Sequence, residues 1–184
     1  MRTITLCLLL LVSGSCLLST SASDADSFDF EEVEAYGFIK SVEKALKKAL
    51  STLRGVNCTI KEVIDVMLAT TNYVDALDDC GVAIPKDIAK IVKNCKSIIA
   101  LCEDIIHLNS TICADEEDGK VTSGKCFLGL FEAIMKVTYK INITLKLIAK
   151  LPADTESCFV DATKKVEQSY NDFLPNIDKC IDQM

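Results

Sequence analysis

Apolar residues recur along this chain at helical spacing, with polar residues on the faces between them. Val33, Ile39, Val42, Leu46, Leu50 and Leu53 fall at steps of three, four and seven, one face of a first helix ending near Gly55. Its outward face carries Lys40, Glu43, Lys44, Lys47 and Lys48, ordinary for a solvated surface. Thr59 and Glu62 have the spacing of a capping box, in which each side chain satisfies a backbone N–H of the other residue, so a second helix is predicted to start there. Ile60, Val63, Ile64, Met67, Val74 and Leu77 form its inward stripe, and Gly81, after Cys80, suits the left-handed residue that follows a helix end. Pro85 opens a third helix, whose inward face holds Ile88, Ile91, Val92, Cys95, Ile98, Ile99, Cys102, Ile105 and Ile106.

A fourth helix, from about Ser123 to Leu151, is apolar on more than one face, the pattern of a helix central in its bundle. A sharper reading of the same excess is a cavity lined from the third, fourth and fifth helices, with Ile98, Phe127, Phe131, Ile134, Ile141 and Phe159 as candidate lining. Pro152 ends the fourth helix. Asp154 or Thr155 can cap a fifth, with Phe159, Ala162, Val166, Tyr170 and Phe173 inward; Pro175 is expected to break it, leaving a tail that carries Cys180. The spans Cys58 to Cys80 and Cys158 to Cys180 have identical length and several matching positions, Val66 with Val166 and Tyr73 with Phe173 among them. An internal duplication and chance agreement between two amphipathic helices explain this equally well. The expectation is an all-α fold: a disulfide-stapled bundle of about five helices, antiparallel neighbours joined by short loops.

The first 22 residues read differently. Met1-Arg2, the apolar run from Leu6 to Val12, and the small residues Thr20-Ser21-Ala22 make a secretory signal peptide, with cleavage expected after Ala22. A membrane anchor would need about 20 consecutive apolar residues, and Ser13, Gly14 and Ser15 interrupt the run. Residues 23–29 form an acidic leader, and 30–184 are enough for a single helical domain with its own core. Loss of Arg2 leaves 19 basic against 27 acidic residues, a net charge of −8. Such a surface repels phosphate backbones and anionic membranes, so neither a nucleic-acid partner nor charge-driven membrane attack is expected.

Eight cysteines remain after the signal: Cys58, Cys80, Cys95, Cys102, Cys113, Cys126, Cys158 and Cys180. An even count in an exported chain reads as four disulfides. Cys95 and Cys102 lie seven residues apart on one helix, roughly 10.5 Å, too far to bridge each other, so each is expected to reach another element. If the fourth and fifth helices are antiparallel, Cys126 lies near Cys180; by the same argument Cys58 lies level with Cys102 or Cys113. No metal or cofactor is expected, since the chain has no C-x-x-C and a single histidine, His107. The acidic run Asp115-Glu116-Glu117-Asp118-Gly119 lacks the alternating oxygen ligands and twelfth-position glutamate of a calcium loop. Three N-x-S/T sequons make Asn57, Asn109 and Asn142 candidate glycosylation sites.

Catalytic chemistry finds little to work with. One histidine, no G-x-S-x-G, no H-E-x-x-H and no glycine-rich phosphate loop leave a non-enzymatic reading. The acidic exported chain, its aliphatic helices, eight mature cysteines and two Cys-x21-Cys spans resemble insect secreted, cysteine-rich, all-helical proteins of uncharacterised function. Likeness to insect odorant-binding proteins stops at helices and disulfides, because their early C-x3-C and late C-x8-C pairs are absent. The expected role is a secreted, non-catalytic binding or interaction protein with a protein partner, or a carrier of an apolar small molecule held between helices.

Overall fold

A computed structural model describes the backbone of residues 25–113 and 121–182, with side chains from residue 37. The expected signal peptide, residues 1–22, and the acidic run 115–119 lie outside the described residues. Among the described residues five helices follow one another: α1 (Ala25–Ala49), α2 (Leu53–Asp78), α3 (Lys86–Ile112), α4 (Gly124–Ala149) and α5 (Ser157–Asp182). The chain divides into two units, Met1–Phe38 and Ile39–Met184. Of the first, the described part is the α1 backbone from Ala25, which begins inside the stretch expected as an acidic leader.

The boundary between the first two helices differs from the expected one. Thr52, in an extended conformation, accepts the Gly55 N–H on its hydroxyl at 3.2 Å and starts α2 at Leu53. Gly55 therefore lies inside α2, and Thr59, expected as the cap, is buried in the helix with its hydroxyl donating to the Gly55 carbonyl. The cap at Thr52 wins because Leu53, Val56 and Ile60 extend the buried stripe backwards. Gly81 has φ +66°, the left-handed turn foreseen after Cys80. Pro85 precedes α3, and the Ser123 hydroxyl accepts the Cys126 N–H at 3.3 Å to cap α4.

Helix α5 runs through Pro175 to Asp182 rather than breaking there. Proline removes one backbone bond, but Pro175 is exposed, so water can serve the freed carbonyl. Burial of Phe173, Ile177 and Cys180 on the opposite face keeps the helix continuous through it.

Within the bundle α5 packs on α2, α2 on α3 and α3 on α4, while α4 and α5 touch sparsely. The second apolar face of α4 stays partly open, with Leu128 and Tyr139 more than half exposed. Gly129 marks a close approach to α3: a β-carbon there would lie 2.6 Å from the Ile112 side chain. At the start of α4, Phe127 and Phe131 stack with ring centres 5.9 Å apart, and Lys47 of α1 lies over Phe131.

Three disulfides link the helices: Cys58–Cys180, Cys80–Cys158 and Cys113–Cys126. Cys126 thus pairs with Cys113 rather than Cys180, because α5 lies against α2 and not α4. Cys95 and Cys102, expected to be bridged, are buried free thiols. Cys58–Cys180 and Cys80–Cys158 bolt the antiparallel pair α2 and α5 at both ends. Exchanging these helices maps one bridge onto the other, and the buried positions follow at a constant offset: Val66 and Val166, Tyr73 and Phe173, Leu77 and Ile177. Thr70 and Tyr170, related by the same offset, meet each other at the centre.

Candidate functional site

Two places gather chemistry, one inside the bundle and one at its end. Inside, α2, α3 and α5 meet along a polar seam. Thr70 donates its hydroxyl hydrogen to the Val66 carbonyl at 2.6 Å, so across 3.0 Å Tyr170 is the donor to Thr70. The Cys95 thiol, 3.5 Å from the same phenol oxygen, is left to donate to Tyr170. Nearby, Thr163 donates to the Phe159 carbonyl, and its hydroxyl lies 3.4 Å from that of Tyr73. Burial pushes the Cys95 thiol up to about 11, with its contact to Tyr170 a smaller, opposing influence. Cys102 rises to about 12 through burial and the neighbouring Glu103 charge, and Tyr73 to about 12 through burial. Tyr170 is raised further, again chiefly by burial. At neutral pH all four are protonated, so the seam specifies how the helices fit together and offers no thiolate nucleophile.

At the end of the bundle, the α2–α3 and α4–α5 connections face each other across an open cleft of about 300 Å3. Ile88 and Phe159, 1% and 0% exposed, are its most buried lining residues; Val82, Pro85, Leu151 and Pro152 are apolar lining, and Asp87, Asp154 and Glu156 contribute carboxylates. Local bonding keeps the second connection folded: Leu151 N–H donates to the Ile148 carbonyl, and both the N–H and hydroxyl of Thr155 donate to Pro152. Leu151 and Pro152 are shared with a second hollow of about 290 Å3 in the α4–α5 seam, lined also by Ile148, Val160, Thr163, Lys164 and Glu167. The sparse contact between α4 and α5 is what leaves this hollow.

The expected lining residues fall in different parts of the described bundle. Ile98, Ile134 and Ile141 are core residues, Phe127 and Phe131 stack half-buried at the start of α4, and Phe159 alone of the six lines a described cleft. His107 is exposed near the C-terminal end of α3, some 30 Å along that helix from Asp87. Among the described residues no three His, Cys, Asp or Glu side chains are grouped to hold a metal, and no helix is long and apolar enough to cross a membrane. Sequence reading missed the cleft because it is made by two loops; Pro85 and Pro152, each beside a helix end, were the available signal. No known protein family, curated protein or solved structure matches the chain.

Proposed function

We propose that this chain is a secreted, non-catalytic binding protein that takes a small ligand with an apolar body in the end cleft. The observation that carries this reading is the cleft itself, whose apolar lining reaches the buried Ile88 and Phe159. Ligand sites are typically concave, mostly apolar and fitted with a few polar groups, and about 300 Å3 is at the lower end of their range. Export through the 1–22 signal supports the reading, since three disulfides suit an oxidising compartment. So does the placement of two sequons: Asn57, near the start of α2, and Asn109, near the end of α3, lie at the end opposite the cleft, so glycans there leave it open. The half-exposed apolar face of α4, with Leu128 and Tyr139, favours a second reading as a protein-docking surface.

Native mass spectrometry of the protein secreted from eukaryotic cells, before and after denaturation with disulfides intact, tests this. The expected result is a chain lacking residues 1–22 that carries one non-covalent small mass, lost on unfolding. A homogeneous empty monomer that gains no mass from cell extract would overturn the small-ligand reading.

A further inference from the structure

We infer that the cleft selects a cationic amphiphile, a compact apolar body bearing an amine or ammonium group; this rests on the binding reading above. Helix dipoles do not decide the sign of charge at this end of the bundle. The C-termini of α2 and α4 and the N-termini of α3 and α5 all lie there, so their partial charges offset one another. Side chains decide it instead. Asp87 is held by Lys90 at 2.8 Å, which leaves Asp154 and Glu156 as the cleft's net charge, and Asp78 and Asp79 at the end of α2 add to the field. Lys86 and Lys150 adjoin the lining residues Pro85, Asp87 and Leu151 in sequence but are exposed and not themselves among the cleft's lining residues. An ammonium group beside Asp154 and Glu156 would place its apolar body against Leu151, Ile88 and Phe159. A carboxylate or sulfate in the same pose would meet the same two charges with the wrong sign.

Three probes of equal chain length separate the possibilities: octyltrimethylammonium, octyl sulfate and octyl glucoside, titrated below their micellar concentrations. Binding is read by calorimetry and by NMR shifts of the Val82, Ile88 and Leu151 methyl groups, all on the cleft. The ammonium probe should bind at one site, shift those methyls, and outbind the glucoside and the sulfate. Asp154→Asn with Glu156→Gln should weaken it roughly five- to tenfold, the yield of two exposed ion pairs. Glu103→Gln with Asp104→Asn makes the same change in net charge on an exposed, distant turn of α3 and should leave affinity within twofold. Equal weakening by both double variants would assign the attraction to net charge and overturn the proposal. Equal binding of ammonium and glucoside would overturn the charge selection and leave the binding function standing. Absence of shifts at the cleft methyls with all three probes would overturn both.

Discussion

Thr122 sits on extended backbone just before α4, its N–H donating to the Ser51 carbonyl at 3.1 Å, while its buried hydroxyl has no partner among the described residues. An unpaired buried hydroxyl costs about 1–3 kcal/mol, and valine has the same shape without it. Thr122→Val should therefore raise stability by about 1 kcal/mol, seen as a higher urea midpoint at unchanged slope; a lower midpoint would mean the hydroxyl is bonded. The two free thiols give a sharper test at the same scale. Cys95 and Cys102 are fully buried, and burial holds both in the protonated form. Iodoacetamide at pH 7.5 should modify no cysteine in the native protein and two in denaturant without reductant; four bridges would give none in either. Their inward placement was legible from the helical period of α3. That their neighbours would be Tyr170 and apolar side chains rather than other cysteines was not, because periodicity gives the face of a helix and says nothing of what lies across from it.

The same limit governs the elements. The apolar stripes placed α3 and α4 to within a few residues and missed the start of α2 and the end of α5 by about two turns; the partners were not legible, and the expected pairing of Cys126 with Cys180 failed because α5 packs on α2. What the sequence did carry was the equal Cys-x21-Cys spacing. Two helices of matched length, crossing antiparallel, bring Cys58 to Cys180 and Cys80 to Cys158 together, and the spacing is what lets both bridges close at once. The bridges are nested. With one intact, the other closes only the two helices between them, about 45 residues, for a chain-entropy contribution of roughly 4 kcal/mol. Cys113–Cys126, with a sequence separation of 13, contributes about 3 kcal/mol. Cys58→Ser with Cys180→Ser should thus destabilise by about 1 kcal/mol more than Cys113→Ser with Cys126→Ser, by urea unfolding. The reverse order would indicate that the α2–α5 pair holds together in the unfolded chain.

Across the whole molecule, the polar seam sets how stability depends on pH. Cys95, Cys102, Tyr73 and Tyr170 are all raised by burial, so the folded state keeps protons that the unfolded chain loses from about pH 9 for thiols and 10 for phenols. Stability from these groups is therefore complete below pH 9 and declines as pH rises toward 11 to 12, where the folded groups titrate too. On the acid side the lowered carboxyls, Glu43 and Asp87, are fully exposed partners of Lys47 and Lys90 and add little. Because α2, α3 and α5 all contribute to the seam, ionising it should unfold the bundle in one step, and circular dichroism followed from pH 7 to 12 should show a plateau and then a cooperative loss of helix. Unfolding at that pH releases two thiolates beside three disulfides, and thiolates attack disulfides. Wild-type protein returned to pH 7 should refold incompletely, with scrambled bridges. Cys95→Ala with Cys102→Ala should move the alkaline midpoint upward and refold fully. An unchanged midpoint in that variant would show that the thiols have no part in the alkaline limit, and equally poor refolding would trace the irreversibility to another source.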